Sequence, residues 1–347
     1  MKGAASRTGI GRHLPYDGLV PGSEAIVSEA RALELDLEAH RRELTGYCYR
    51  MLGSGADAED AVQETMVRAW RAIDKLDDPG ALRSWLYRIA TNVCLDMLSG
   101  AQRRATPIDF GPASTAESAL PVKLGEEVWV QPVPDARVLP ESGDPAELAA
   151  ARETVRLAFV AALQHLPPRQ RAVLILCEVL RWKASEAAEL LGTTTAGVNS
   201  ALQRARATLD AADLDTAGAA AADSEAEQEL LDRYVDAFER YDMEALVALL
   251  HDDATFSMPP YPLWLRGPSQ VRAWLLGKGI GCRGSRVLKV AANGSPAFAT
   301  YRPSGPGVHE PFALVVMQVS DGRISDLCHF LHPELFPAFG LPTTLEG

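Results

Sequence analysis

The sequence predicts a multidomain chain in which two all-α domains, a helical bundle and a helix-turn-helix, are followed by an α+β domain. Three observations support this prediction. Apolar residues recur at helical spacing between about residues 33 and 104, and again between 146 and 209. After residue 253 the apolar period changes to that of strands, and Asn293-Gly294 and Asp321-Gly322 are typical hairpin turns. Helices followed by an antiparallel sheet are typical of an α+β domain.

Composition and charge exclude several classes of protein. The formal net charge of −12 over 347 residues argues against a free-standing, non-specific DNA binder, because such binding needs clustered cations. The five cysteines are widely spaced without a Cys-x-x-Cys pair, so neither a metal site nor a disulfide framework is expected, and no cofactor is predicted. No apolar run reaches membrane-spanning length and no secretory signal is visible, so we expect a cytoplasmic protein that binds no membrane.

Breaks in the periodic pattern predict the domain boundaries. A tail rich in Gly, Ser and Ala opens the chain, seven prolines interrupt every candidate element after Thr106, and an Ala- and acid-rich stretch follows Asp210. Within the proline-rich stretch, Val128-Trp-Val130 is apolar enough to dock onto a neighbouring surface. The predicted segments are a flexible tail (1–34), a helical domain (35–105), a flexible linker (106–145), a second helical domain (146–212), a second linker (213–224) and an α+β domain (225–341).

The helix predicted from Asp57 to Arg71 has an apolar face and a polar face. Asp57 is a typical N-cap, and acidic residues in the first turn suit the helix dipole. Asp60, Gln63 and Glu64 lie together on the polar face. By itself, such a face is most simply explained as solvated.

Residues 82–104 predict an amphipathic helix whose polar stripe suits single-stranded nucleic acid. Arg88, Asn92 and Arg103 fall on one side at about 100° per residue, and Trp85 lies with them. Arginines hold phosphates, an exposed ring stacks on an unstacked base, and an amide reads base edges. The alternative is an ordinary amphipathic helix whose Trp is half buried.

A helix-turn-helix is predicted between Lys183 and Leu209. Ser185 is a candidate cap for the first helix, Gly192 suits the position just after it, and the Thr193–Thr195 run can cap the second helix. The second helix carries amides and a hydroxyl for base edges or phosphates, and arginines for phosphates. These side chains are Asn199, Ser200, Gln203, Arg204 and Arg206.

Four motifs occur in one order along the chain. They are Asp57-Ala-Glu-Asp-Ala-Val-Gln-Glu-Thr65, Trp85-Leu-Tyr-Arg-Ile-Ala-Thr-Asn92, Leu166-Pro-Pro-Arg-Gln-Arg-Ala-Val-Leu174 and the helix-turn-helix. Over about residues 35–212 this ordered set resembles bacterial sigma-70 factors of the extracytoplasmic-function (ECF) group. The resemblance implies an RNA polymerase sigma factor: a region 2 bundle and a region 4 helix-turn-helix that bind the clamp helices and flap of core polymerase, recognise promoter DNA and initiate transcription. The linker would thread towards the RNA exit path.

The resemblance also implies roles for individual residues. Asp60, Gln63 and Glu64 would contact the clamp helices, and Asn92 matches the position that captures an extruded base. The −10 element would be bound by Trp85, Arg88, Asn92, Asp96, Arg103 and Arg104, and the −35 element by Thr195, Asn199, Ser200, Gln203, Arg204 and Arg206. An acidic chain fits this role, because the polymerase would supply most of the affinity for DNA.

One departure from the family concerns the recognition helix. Family members often carry a Lys and an Arg in its first turns, whereas Asn199 and Ala201 stand at the matching positions here. A direct arginine–guanine contact is therefore missing, so the −35 sequence of other members does not carry over.

Two later motifs, Tyr234-Val-Asp-Ala-Phe-Glu-Arg-Tyr-Asp-Met-Glu-Ala-Leu246 and Leu250-His-Asp-Asp-Ala-Thr-Phe256, are similar to SnoaL-like domains of the nuclear-transport-factor cone fold. The resemblance implies an α+β SnoaL-like domain that modulates sigma activity in cis and has no catalytic residue. A stabilising platform is one alternative. Another is a DNA-binding module fused to a SnoaL-like small-molecule-binding domain or isomerase/cyclase-type enzyme, with Asp253, His329 and His332 as candidate bases. His332, beside a proline, is expected at the surface. A separate anti-sigma factor or a small ligand is left open as a further partner.

Overall fold

The computed structural model describes residues 37–76, 78–211 and 224–346. The flexible tail expected at 1–34 lies outside these residues, and so does the linker expected at 213–224, except for its last residue. The described residues from His40 onward belong to one compact unit.

Three α-helices of the first helical domain pack around a shared apolar core. They are α1 (Arg41–Leu52), α2 (Gly55–Ala72) and α3 (Leu82–Leu98). Tyr47 of α1 packs edge-on against Tyr87 of α3 with ring centroids 5.2 Å apart, and its hydroxyl bonds Thr91 Oγ1 at 2.8 Å. All three side chains are buried, so this bonded pair fixes α1 against α3.

Two expectations for these helices are wrong. The N-cap of α2 is Ser54, whose Oγ accepts from the amide of Asp57 at 3.2 Å, so Asp57 lies in the first turn and does not cap it. Helix α3 ends well before residue 104, because Gly100 adopts φ +79° beyond its last turn. Arg103 and Arg104 therefore do not lie on the polar stripe of α3.

Residues 105–134, which we call the strap, are ordered where the sequence predicts a flexible linker. Ala105 and Trp129 form a parallel bridge beside the first helical domain, and the Trp129 side chain is fully buried. Nearby, the hydroxyls of Tyr49 and Ser54 each donate to Gln131 at 2.8 Å. The docking indicated by the apolar run around Trp129 is therefore present, and it attaches the strap to α1 and to the N-cap of α2.

The strap is also bonded to the α+β domain. The amides of Ser114 and Leu124 donate to the carbonyls of Trp264 at 2.8 Å and Pro260 at 2.9 Å. Prolines prevent long helices and strands in this segment, but its backbone polar groups find partners on two neighbouring surfaces. Long-range partners, and not local periodicity, hold the segment in place.

The second helical domain contains the predicted helix-turn-helix. The helices that follow the strap are α4 (Asp135–Val138), α5 (Pro145–Glu153), α6 (Leu157–Gln164), α7 (Pro168–Leu174), α8 (Ala184–Leu190) and α9 (Thr195–Ala211). As predicted, Gly192 follows α8 with φ +61°, and Thr194 caps α9 by accepting an amide at 3.0 Å. Ser185 does not cap α8, because it lies within the first turn; the N-cap residue is Lys183, whose amide donates to Glu186 at 2.8 Å.

The α+β domain contains three α-helices and one seven-stranded sheet among the described residues. The helices are α10 (Ser224–Glu239), α11 (Met243–Val247) and α12 (Pro268–Leu276). The strands are β1 (Leu250–Ser257), β2 (Trp264–Arg266), β3 (Arg286–Ala292), β4 (Ser295–Gly305), β5 (Val308–Ser320), β6 (Arg323–Phe330) and β7 (Leu345–Glu346). Their order is β2-β1-β6-β5-β4-β3, with β7 paired to β5.

The sheet departs from the predicted antiparallel sheet in two respects. Strands β1 and β6 pair in parallel, whereas the other pairs are antiparallel. Strands β2 and β7 have three and two residues, which is too short for a period-2 pattern to predict. The two predicted turns are present, with Asn293 at φ +57° and Asp321 at φ +51°.

The tip of the β3–β4 hairpin joins the α+β domain to the rest of the chain. The fully buried Asn293 donates from Nδ2 to the Tyr49 hydroxyl at 2.6 Å and to the Val155 carbonyl at 2.8 Å. Its Oδ1 accepts from the Val133 amide at 3.0 Å. Tyr49 belongs to α1, Val133 to the strap and Val155 to the turn between α5 and α6. We call these four residues the joint, because one side chain bonds both helical domains and the strap.

Candidate polymerase and nucleic-acid interfaces

The polar face of α2 is exposed. Asp60, Gln63 and Glu64 all reach solvent, and Glu64 pairs with Arg68 at 2.7 Å. Trp70 lies two turns after Gln63 on the same side of the helix and is 61 % exposed. An acidic face with an unburied ring is suited to a protein partner, since exposed aromatic residues are enriched at such interfaces. Trp70 is not part of the polar face predicted from the sequence, although its spacing of seven residues from Gln63 places it on that side of the helix.

The polar stripe of α3 is divided between solvent and the second helical domain. Asn92 is exposed and has no side-chain hydrogen bond among the described residues. Asp96 is exposed and pairs with Arg68 at 3.4 Å, whereas Trp85 is half-buried. Arg88 pairs with Glu189 of α8 at 3.5 Å. Asn92 is therefore the stripe residue with the fewest competing contacts.

The two arginines after α3 differ in their surroundings. Arg103 is exposed and donates to His165 Nδ1 at 2.7 Å and to Asp109 at 3.2 Å. Arg104 is largely buried; it pairs with Asp57 at 2.5 Å and donates to the Trp129 carbonyl at 2.8 Å. The Arg104 guanidinium thus holds the strap against α2 and does not face solvent with the stripe.

The recognition helix presents its polar side chains to solvent. All six residues expected to bind the −35 element are exposed, and they lie on α9: Thr195, Asn199, Ser200, Gln203, Arg204 and Arg206. Arg206 forms an ion pair with Glu178, whereas Arg204 has no ion pair among the described residues. Arg204 is the freer cation for a phosphate.

The two helical domains contact each other beside the α3 stripe. Tyr87 packs edge-on against Trp182 with ring centroids 5.2 Å apart, and the Arg83 guanidinium lies 5.8 Å from the centre of the Trp182 ring. Together with the pair between Arg88 and Glu189, these contacts turn the first half of the stripe towards the helix-turn-helix. The same contacts would compete with DNA for Arg88.

Arg171 of α7 connects the two helical domains from inside. Its buried guanidinium donates to the carbonyls of Met51 and Leu166, and to both the carbonyl and the Oε1 of Gln164. Burial lowers the pKa of Arg171 to about 10, so the side chain remains charged at neutral pH. The second arginine of the Leu-Pro-Pro-Arg-Gln-Arg motif is thus a buried clasp between α1 and the helix-turn-helix domain.

A partly open cavity of about 190 Å³ lies between the helices and the sheet of the α+β domain, and Leu120 of the strap also lines it. Of the three candidate bases, His329 lines this cavity, Asp253 is exposed on β1, and His332 is buried beside Glu334 at 2.7 Å. The expectation that His332 lies at the surface is wrong. Burial lowers the pKa of His329 to about 4, so the ring is neutral at pH 7. The three candidates do not converge on one reacting centre.

Comparison with known proteins follows the same division of the chain. Family models match sigma-70 region 2 at residues 37–104, sigma-70 region 4 at 156–209 and the SnoaL-like domain at 231–327. The ECF RNA polymerase sigma factor SigG of Mycobacterium tuberculosis is 46 % identical over 311 residues, which span 89 % of this chain and 83 % of SigG. The chain belongs to the ECF RNA polymerase sigma factors. The resemblance drawn from the motifs is therefore confirmed, including the SnoaL-like domain at the C-terminal end.

A second ECF sigma factor shares both the sequence and the fold. SigJ of Mycobacterium tuberculosis is 30 % identical over 317 residues, which cover 87 % of this sigma factor and 92 % of SigJ. The crystal structure of SigJ matches with a TM-score of 0.59 at 24 % identity, over 88 % of this chain and 99 % of that one. The fold class, two helical sigma domains followed by an α+β SnoaL-like domain, is confirmed. No helix among the described residues is long and apolar enough to cross a membrane.

Two sets of ionisable residues in this sigma factor are brought into unusual surroundings by the fold and are not predicted from the sequence. Asp326 on β6 accepts a hydrogen bond from the Thr255 hydroxyl, and burial raises the pKa of its carboxyl to about 6. Glu126 of the strap, His332 and Glu334 place ligand atoms within 4.8 Å of one another. Asp326 lies inside a predicted strand, where nothing in the local sequence indicates that an acidic side chain is buried. Glu126 is distant in sequence from His332 and Glu334 and comes close to them only in the folded chain. The His332–Glu334 hydrogen bond already satisfies part of the cluster, so the absence of a metal site stays a prediction.

Proposed function

We propose that this sigma factor binds bacterial core RNA polymerase and promoter DNA, and directs initiation from promoters that contain −10 and −35 elements. The observation that carries the proposal is the exposure of separate polar faces on α2, α3 and α9, within segments that match sigma regions 2 and 4. Such a protein acts where the polymerase is, in the cytoplasm.

The proposed contacts follow from what each face offers. The α2 face, including Trp70, binds the clamp helices, and Asn92 captures an extruded base of the −10 element. Trp85, Arg88, Asp96 and Arg103 flank Asn92 at the −10 element, whereas Arg104 is assigned to the fold because it holds the strap. The six exposed residues of α9 bind the −35 element.

In this proposal, promoter binding favours separation of the two helical domains. Arg88 pairs with Glu189 at 3.5 Å, so a phosphate has to compete with Glu189 for the guanidinium. The SnoaL-like domain bonds both helical domains through Asn293, so it stabilises the closed arrangement, in which the two helical domains contact each other. It modulates activity in cis by its differential affinity for the closed and open arrangements. An anti-sigma factor would act by the same rule.

The SnoaL-like domain of this protein is proposed to be non-catalytic. A general base needs reach to the substrate and a pKa near the working pH. His329 lines the cavity but its pKa of about 4 makes it a weak base, and Asp253 is exposed outside the cavity. The alternative of a fused enzyme therefore lacks a matched acid and base at one place.

Run-off transcription with bacterial core polymerase tests the proposal, using the region upstream of the protein's own gene as template. Asn92→Ala should abolish opening of the −10 region, read by permanganate reactivity, while leaving core binding unchanged. The matched double substitution of Asp60 and Gln63 by Ala should weaken core binding and, at saturating protein, leave opening unchanged. No core-dependent transcript from the full chain, or the same defect in both variants, would refute the assignment.

The recognition helix is tested by Arg204→Ala. If Arg204 holds a phosphate, the substitution weakens DNA binding by a similar factor on every −35 sequence. The number of counterions released on binding, read from the salt dependence of the affinity, should fall by about one. Arg206→Ala should have the smaller effect, because Arg206 already pairs with Glu178. A loss confined to certain −35 sequences would show that Arg204 reads bases instead.

A further inference from the structure

The cavity of the SnoaL-like domain carries positive charge without a carboxylate in its lining. Its wall is mostly aromatic and apolar, with Phe256, Trp274 and Phe312 among the lining residues. Arg302 and Lys278 also line it, and no Asp or Glu does. With His329 neutral at pH 7, the charge of the lining is positive.

Both cations at the cavity wall lack an anionic partner among the described residues, and Arg302 is the one that has a buried N–H group without an acceptor. Its Nη2 donates to Cys282 Sγ at 3.0 Å, and its Cζ lies 3.2 Å from the centre of the Phe312 ring. Its Nε is buried without a hydrogen-bond acceptor, and the side chain has no ion pair among the described residues. A guanidinium that is partly desolvated in this way is stabilised by a carboxylate, which it binds with two parallel hydrogen bonds.

We propose that this cavity binds a small aromatic monocarboxylate of the size of benzoate or phenylacetate, with its carboxylate on Arg302. A cavity of about 150 Å³ lined by apolar side chains holds one benzene molecule, so about 190 Å³ accommodates one ring and a carboxylate. The aromatic wall favours a ring over an aliphatic chain of equal volume.

The strap lies across this cavity. Leu120 lines the cavity, and Lys278 Nζ donates to the carbonyls of Ala116 and Ser118. A carboxylate beside Arg302 attracts Lys278 and competes with these two strap carbonyls for its ammonium. Ligand binding therefore loosens the strap between residues 114 and 124. Because the strap connects the two helical domains, occupancy shifts their closed arrangement; this last step rests on the proposed function.

Calorimetry on the full chain tests the site without reference to transcription. Benzoate and phenylacetate should bind, and the neutral isostere phenylacetamide should bind at least ten-fold more weakly, since hydrogen bonds between a guanidinium and a carboxylate are about twice as strong as those to a neutral acceptor. Arg302→Gln should weaken the acids by the same factor and remove the difference between acid and amide. Arg323→Gln, which removes an exposed cation away from the cavity, should change neither.

Several results would overturn the proposal. Absence of binding by both acids would do so, and so would equal affinity for acid and amide in the unmodified chain, a comparison that needs no variant to fold. Unchanged acid affinity in a folded Arg302→Gln would also overturn it. Hydrogen exchange of the Ser114 and Leu124 amides should increase with phenylacetate; unchanged exchange would overturn the coupling to the strap. A ligand that binds and loosens the strap but leaves run-off transcription unaltered would overturn the regulatory step, while core-dependent transcription itself would still stand.

Discussion

Substituting Asn293 by Ala should weaken the joint and lower the free energy of unfolding. The same substitution at Asp321, in a second hairpin turn of the same sheet, serves as the control. Asn293 and Asp321 each precede a glycine in a hairpin turn and adopt φ +57° and +51°. Asn293 is fully buried with three side-chain hydrogen bonds, whereas Asp321 is exposed and has no side-chain hydrogen bond among the described residues. The two positions share their backbone strain and differ in their contacts.

The expected magnitudes follow from that difference. Ala in the left-handed region costs about 1 kcal/mol more than Asn or Asp at either position. At Asn293 the change also removes three hydrogen bonds worth about 1 kcal/mol each, and leaves the Val133 amide and the Val155 carbonyl without their partner. We therefore expect Asn293→Ala to lower the free energy of unfolding by about 3–5 kcal/mol and Asp321→Ala by about 1 kcal/mol.

Urea unfolding at pH 7.5 gives both values, and hydrogen exchange locates the loss. The Val133 amide donates to Asn293 Oδ1 in the folded chain, so its exchange should accelerate in Asn293→Ala and stay slow in Asp321→Ala. If the two variants lose the same free energy to within about 0.5 kcal/mol, or if Val133 keeps its protection in both, then the hairpin tip is not bonded to the helical domains and the reasoning fails.

Three further substitutions test separate contacts. Arg171→Met should lower the free energy of unfolding by about 3–5 kcal/mol in urea titrations, because it leaves buried acceptors unpaired, while Arg169→Met on the exposed side of α7 should change it by less than about 0.5 kcal/mol; equal effects would exclude the clasp. Trp129→Ala should cost about 3–5 kcal/mol and release the strap to proteolysis, and a strap that still resists protease would contradict its docking through this ring. Burial raises the pKa of the Asp326 carboxyl from 3.8 to about 6 in the folded chain. The free energy of unfolding therefore keeps its full value below pH 4 and falls by about 1–3 kcal/mol as the pH rises through 6. Asp326→Asn should recover that loss at pH 7.5 and give no gain at pH 4, and a gain of equal size at both pH values would show another cause.

Local patterns predicted the helices and the two hairpin turns because their causes are local. The apolar spacing of α2 and α3 is set by their own residues, and Asn293-Gly294 and Asp321-Gly322 adopt left-handed conformations that these residue types favour. The exposure of Asn92 also follows from its position on the polar side of α3. Features of this kind need only one element to be formed.

The structural features that could not be predicted from the sequence depend on contacts between segments that are distant along the chain. Five prolines made the strap resemble a flexible linker, yet Trp129 of the strap is buried, and the partners of Ser114 and Leu124 lie in the α+β domain. The resemblance assigns Arg104 to the −10 element, but in the folded chain its guanidinium pairs with Asp57 and holds the strap. The Arg302 cavity is likewise formed by elements that are separate in sequence, so no spacing could indicate it.

The closed arrangement sets a condition on how the polymerase can act. Moving a two-state equilibrium from 1:99 to 99:1 requires a difference in binding free energy of about 5.5 kcal/mol between the two states. A complex with nanomolar affinity releases about 12 kcal/mol, which is enough to offset both the joint and the clasp. If core polymerase binds the open arrangement, Asn293→Ala should raise its apparent affinity by up to about 150-fold, the equivalent of about 3 kcal/mol. Asp321→Ala should leave that affinity unchanged. Weaker core binding by Asn293→Ala would show that the polymerase binds the closed arrangement, with the SnoaL-like domain still seated on α1.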